Sequence, residues 1–246
     1  MRAVKLLFTL LQTNLIKTIW FNFKMLPIRK AYKLPIYLYG RVSFRSTSGK
    51  IVLPQKCHSG MIKIGKRDYY TDTNIAHTIW TINGTIIFNG AINFLRGSYV
   101  LVSSNAVLTF GTCGTFIGSN TKIICFERIS IGDTTHITWD CQLIDTSFHY
   151  IESLHDHSVS PLTKPLTIGN RVWIGNRATI SKGAIVPDDT IVASNSLVNK
   201  DHSKNGSYTL LAGTPATVKA TGLRRIFDTQ LEKQLDRKYG YSRTHL

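Results

Sequence analysis

Aliphatic side chains fall one in every six residues along the segment 166–201: Ile168, Ile174, Ile180, Val186, Val192 and Val198 keep the spacing without a miss. An α-helix repeats every 3.6 residues and a flat strand every two, so neither element produces this period. Two- or three-residue strands joined by tight corners do. Wound into a three-sided prism, such a chain uses about six residues per side and about eighteen per coil, with one aliphatic residue of each hexad pointing inward. Four residues after the stacked aliphatics stand Val172, Ala178, Ala184, Thr190 and Ser196, all slim enough for a narrow interior corner. Asn170, Asn176, Gly183, Asp188, Asp189 and Asn195 occupy the expected turns, and these residue types tolerate the left-handed backbone that a sharp corner imposes. The pattern predicts an all-β chain, a parallel β-helix of hexapeptide repeats. It lacks the helical stretches of about ten residues that a doubly wound sheet needs between strands.

Upstream the rhythm is looser. Ile82, Phe88, Phe94 and Val100 keep period six, as do Ile117, Ile123 and Ile129; after a two-residue shift come Ile131, Ile137 and Leu143. This divides the chain into a basic N-terminal cap over 1–55, a β-helix over 56–212 and a C-terminal tail and helix over 213–246. In the tail Leu223, Ile226, Phe227, Leu231 and Leu235 read as a helix that closes the stack, since capped ends protect unpaired strand edges. At the other end Val4, Leu7, Phe8, Leu11, Leu15 and Ile19 have helical spacing. Lys5, Gln12, Asn14 and Lys17 break that apolar run, which speaks against a signal peptide or a membrane span. It reads as an amphipathic helix that either packs on its own subunit or rests on anionic lipid.

Hydrophobic content of 43% with 18% charged residues is that of a folded soluble protein. The net charge of +16 is not ordinary, and residues 1–67 contain no Asp or Glu. An anionic partner is implied: a membrane surface, nucleic acid or an acidic ligand. FNFKMLPIRKAYKLPIYLYGR mixes bases with aromatics but matches no nucleic-acid module, so no nucleic acid is expected. Cys57, Cys113, Cys125 and Cys141 form no CxxC pair, which fits a reducing cytoplasm better than a disulfide or zinc framework. Cys113, Cys125 and Cys141 sit in apolar surroundings and are expected in the core.

Between Leu143 and Leu166 the rhythm stops at IDTSFHYIESLHDHSVSPLTKP, an extended loop at about 145–165. Loops of this length in compact folds are usually functional or disordered. This one holds Asp145, His149, His155 and His157. Histidine exchanges a proton near neutral pH, so a general base is a natural reading.

The segments IDTSFHYI, KPLTIGNRVWIGNRATISKGAIVPDDTIVASNSLVNKD and LAGTPATVK, within residues 115–220, resemble the left-handed β-helix hexapeptide acyltransferases. The pattern is similar to sugar O-acetyltransferases of the maltose, galactoside and nodulation-factor group, and to capsule and O-antigen acetyltransferases. The resemblance implies a left-handed coil, against the usual right-handed crossover rule. It also implies a homotrimer, acetyl-CoA as donor in a groove between neighbouring prisms, and no metal. By the same likeness His149 is the base that takes a proton from a sugar hydroxyl, and a backbone N–H holds the oxyanion. Trp173 lines the cofactor side, Gly175 shapes the tight corner beside it, the Ser194 backbone meets the pantetheine arm, and Lys200 lies on the CoA side. Lys219 is carried over as a cofactor-binding base from the region after GTPA, and Lys219, Arg224 and Arg225 are alternatives for the contact with the CoA phosphates. Three departures stand out. Ser147 replaces an acidic residue two before the histidine, leaving Asp145 as an orienting or acceptor-binding group. SNS at 194–196 replaces AGS, and Thr217 occupies a site that is often basic. His136 is expected to be structural or at the mouth of the cleft.

The implied activity is acetyl transfer to a sugar hydroxyl in a surface polysaccharide or its precursor. Transfer to the amine of an amino sugar uses the same geometry. A third reading is the zinc carbonic anhydrase type of β-helix, for which His136, His149, His155 and His157 offer ligands; the GTPA ending and the VWIG tryptophan argue against it. The expected location is cytoplasmic, with the basic N terminus as a means of peripheral contact with the inner face of the membrane.

Overall fold

A computed structural model describes residues 13–67 and 76–241. Each coil lays one short strand on each of three faces. Ile36–Leu38 opens the first face, Val42–Thr47 the second and Lys50–Val52 the third, and the order then repeats down the stack. Stacked strands pair in parallel, and in the later coils the partners Thr167 and Ile185, Trp173 and Ile191, and Thr179 and Leu197 lie 18 residues apart. That is the coil length the hexads predict.

Ile168, Ile174, Ile180, Val186, Val192 and Val198 are all buried, as are Val172, Ala178, Ala184, Thr190 and Ser196 behind them. Each buried Ile or Val contributes about 2 kcal/mol. A non-glycine residue in the left-handed region costs about 1–2 kcal/mol, so three ladder positions per coil outweigh the corners that join them.

The corners differ in detail from the expectation. Gly183, Asp189 and Asn195 adopt positive φ, but at the other turns Arg171 and Arg177 do so, directly after Asn170 and Asn176. Asn170 and Asp188 act through their side chains. Asp133 N–H donates to Asn170 Oδ1 and Asn170 N–H to Asp188 Oδ1, each at 2.8 Å, so the amides of one corner are capped by the coil beneath. Arg171 is held in its turn by two hydrogen bonds to Asp189, at 2.8 and 2.7 Å.

The prism starts earlier than the sequence suggested. Ile36 pairs with Ile62, so the first coil forms near residue 36 and not near 56. Above it lies the helix α1 (Leu15–Met25), followed by the single turn α2 (Ile28–Ala31). Leu15 and Ile19 of the expected helix belong to α1; Val4, Leu7, Phe8 and Leu11 lie outside the described residues. The first strand would otherwise expose unpaired backbone groups, which a stack end must cover. Buried Asn22 does so from above, with Nδ2 donating to Ile36 O at 2.7 Å and Oδ1 accepting from Ile36 N–H at 3.1 Å. Thr18 Oγ1 accepts from Leu38 N–H at 3.0 Å.

At the far end the closing element is a strand and not the helix. Ala216–Thr221 folds back antiparallel on Thr209–Gly213 and covers the last edge of the first face. The helix α3 (Thr229–Tyr239) buries none of its residues. Of the three cysteines expected in the core, Cys125 and Cys141 are buried whereas Cys113 is exposed at a corner; Cys57 is buried as well. Among the described residues no helix is long and apolar enough to cross a membrane.

Candidate active site

The histidine loop is an ordered arm. It leaves the corner between the second-face strand Gln142–Ile144 and the third-face strand Leu166–Ile168. Its two limbs pair antiparallel through Ile151–Glu152 and Val159–Ser160, with a further bridge between Thr146 and Thr163. His155 and His157 sit at the exposed tip, His157 Nδ1 lying 3.0 Å from Glu152 Oε1. His149 stands at the exposed base of the arm, directly after Phe148, whose φ of 61° turns the chain outward.

Two contacts fix that base. Asp145 is fully buried, and its carboxylate accepts three backbone N–H groups, from Phe126 at 2.7 Å, Glu127 at 2.9 Å and Arg128 at 2.8 Å. Burial raises its carboxyl above the usual range, opposed by those three donors. With both oxygens spent on backbone and no exposed surface, Asp145 anchors the arm and does not present a face to an acceptor. Two residues on, Ser147 N–H donates to Leu162 O at 2.9 Å across the arm, and its hydroxyl accepts from Lys182 Nζ at 2.9 Å. Lys182 also reaches Pro161 O at 2.7 Å, tying both limbs to the next coil.

Trp173, Gly175 and Ser194 lie elsewhere. Trp173 is 37% exposed on the first face. Gly175 and Ser194 stack at the corner between the first and second faces, where the Ser194 hydroxyl donates to Asn176 Oδ1 at 2.6 Å. A Cβ on Gly175 would come within 2.6 Å of the Ser194 amide, so the two coils close only over glycine. Lys219 is exposed on the terminal strand of the first face, and Lys200 is exposed below Lys182 on the corner that bears the arm. One chain therefore brings His149 and Lys200 to one corner, and Trp173, Gly175 and Ser194 to another. It does not bring the two groups together.

His136 lies one rung above Trp173 on the first face. Its Nδ1 contacts Arg225 Nη1, and the Phe227 ring packs edge-on against it at 5.0 Å. Burial first, and then the Arg225 charge, lower its pKa to about 4. This neutral, covered imidazole is separate from the arm histidines. No group of three or more His, Cys, Asp or Glu side chains placed to hold a metal occurs among the described residues. Burial pushes the Cys141 thiol up to about 11 and that of Cys125 further, so neither is a thiolate nucleophile near neutral pH.

Two features escaped the sequence reading. Arg225 lies over Trp173, 6.0 Å from the ring centroid, so the segment after GTPA folds back onto the first face. Lys182 carried a readable signal: Lys164, Lys182 and Lys200 are spaced by one 18-residue coil and fall on the same corner.

These features define a parallel β-helix with two separated clusters of exposed polar and aromatic groups. No protein-family model and no curated protein matches the chain. Solved structures do. The polySia-specific acetyltransferase NeuO superposes at a TM-score of 0.58 and 18% identity, over 81% of this chain and 85% of its own. The polysialic acid O-acetyltransferase OatWY superposes at 0.52 and 18% identity, over 82% of this chain and 100% of its own. The N-acyltransferase AntD from Bacillus cereus, solved with dTDP and 3-hydroxybutyryl-CoA, aligns at only 0.39 and 13% identity, over 83% of this chain and 88% of its own. At these identities the likeness establishes the fold: a left-handed parallel β-helix, here with an N-terminal helical cap and a C-terminal helix.

Proposed function

We propose that this protein transfers the acetyl group of acetyl-CoA to a hydroxyl of a sugar, in a surface polysaccharide or its precursor. The reading rests on the separation of its two half-sites. An exposed imidazole, His149, is fixed at the base of an arm on one corner. The exposed Trp173 and Ser194 lie on the next face and corner. Three copies packed side by side put the arm of one prism against the first face of its neighbour, giving a cleft with a base on one wall and a thioester groove on the other. The acetyltransferase names of NeuO and OatWY support the same reading.

In this cleft Trp173 and the Ser194 backbone hold the pantetheine arm, and Lys200, Lys219 and Arg224 supply charge for the CoA phosphates. His149 takes the proton of the sugar hydroxyl as its oxygen bonds to the acyl carbon. The carbon–sulfur bond then breaks, and the imidazolium returns the proton to the departing thiolate. Orientation of the two substrates supplies much of the rate.

Thiol release from acetyl-CoA against a panel of sugars and amino sugars tests the proposal. His149→Ala should lower turnover by about a hundredfold or more. Equal rates in the two proteins would remove His149 from the mechanism, and a preference for amines would replace O- with N-acetylation.

A further inference from the structure

The helix α1 covers the stack with one face and leaves the other bare. Thr18, Phe21, Asn22 and Met25 point down into the prism. Ile16, Ile19, Trp20 and Phe23, at helical spacings of three and four, point away; Ile16 is 83% and Trp20 48% exposed. The stripe continues past the helix, where Phe23 meets the exposed Tyr32 edge-on at 5.3 Å and Ile28 stands open beside them. Single exposed apolar residues need no explanation, but a contiguous row marks an interaction surface.

Its surroundings say what it meets. Lys24, Arg29 and Lys33 are exposed around the stripe, and no carboxylate occurs in the chain before Asp68. A second copy of this face would bring like charges together, which opposes association. A negatively charged surface with an apolar interior beneath it matches both the rim and the stripe.

We propose that this end of the rod docks on an anionic lipid bilayer. The helix lies in the plane of the interface, with Ile16, Ile19, Trp20 and Phe23 in the headgroup–acyl boundary and Lys24, Arg29 and Lys33 against lipid phosphates. Coils stack at about 4.8 Å, and the arm leaves the fifth strand of the second face. With the helix layer of about 10 Å between the first coil and the lipid, a docked rod thus holds His149 roughly 30 Å from the bilayer.

The test is sedimentation of the full-length protein with vesicles of phosphatidylcholine and phosphatidylglycerol in equal parts, against vesicles of phosphatidylcholine alone. Binding is expected only with phosphatidylglycerol present, weakening as salt is raised. Each basic residue at such a surface contributes roughly a factor of five, so Lys24→Gln/Arg29→Gln/Lys33→Gln should bind about a hundredfold more weakly. Ile16→Ser/Phe23→Ser alters only exposed positions. It should lose binding while keeping the native melting temperature and acetyl transfer to soluble sugars, which separates this proposal from the catalytic one. Binding indifferent to lipid charge, or unchanged in both variants, would overturn it. So would native assemblies that grow without lipid and that Ile16→Ser/Phe23→Ser breaks down, because a second copy would then be the occupant.

Discussion

Lys182 donates to the hydroxyl of Ser147 at 2.9 Å, two residues before His149 and one coil below the arm. Lys182 thus bears on the backbone of His149, the proposed base, because the Ser147 hydroxyl in turn donates to His149 O at 3.0 Å. Lys182→Met keeps the stem and removes the donor. A hydrogen bond from a charged group is worth about 1.5–3 kcal/mol, and a displaced base loses turnover steeply. We expect kcat to fall about tenfold with KM for acetyl-CoA little changed. Ser147→Ala should do the same, and the double variant should be no worse than either alone, as for groups acting in one network. Steady-state kinetics of the three proteins decide it; additive losses would show that the two residues act separately.

Asp145 makes a second prediction because both of its oxygens accept from backbone N–H groups. In Asp145→Asn either orientation of the amide sets an NH2 group against a donor. A buried network broken in this way costs about 2–4 kcal/mol. Thermal unfolding should shift down accordingly, and turnover should fall with it as the arm's root loosens. An unchanged melting temperature would contradict the anchoring role.

His136 makes stability depend on pH. Its folded pKa, lowered to about 4 chiefly by burial and then by Arg225, lies below the ordinary value near 6.5. As pH falls below 6.5 the unfolded chain takes up a proton that the folded chain refuses until about pH 4. The unfolded state then binds more protons, and stability is lost through this window. The loss reaches about 2 kcal/mol at pH 5 and on the order of 3 kcal/mol at its limit. Denaturant titrations at pH 7 and pH 5 should show this drop in the native protein and a smaller one in His136→Gln.

The later coils were legible and the early ones were not, and coil length explains the difference. Where corners are minimal the coil holds 18 residues, and every ladder position recurs in phase. Ile36 pairs with Ile62 and Ile62 with Ile92, spacings of 26 and 30 residues, so insertions at the corners put the ladder out of phase. The first coil was therefore read as cap. At the candidate site, His149 and Trp173 could be singled out from sequence because their motifs are local. The burial of Asp145 was not, since its partners lie one coil back at Phe126 to Arg128. The same holds for the Arg225 contact with His136, which joins residues 89 apart in the chain.

The proposed trimer makes the sharpest prediction, because it divides each site between two chains. Let one chain carry His149→Ala and the other Trp173→Ala/Ser194→Tyr, all at exposed positions that leave the core intact. Each protein alone lacks one wall in every cleft and should be nearly inactive. Co-expressed in equal amounts and assembled at random, an arm is intact in half the chains, and so is the facing groove in the neighbour. About a quarter of the clefts then hold both walls, and about a quarter of native activity should return. If arm and groove of the same chain formed the site, every cleft would carry a lesion and mixing would restore nothing. Thiol release measured on the co-expressed mixture separates the two arrangements, with each parent protein as its own baseline.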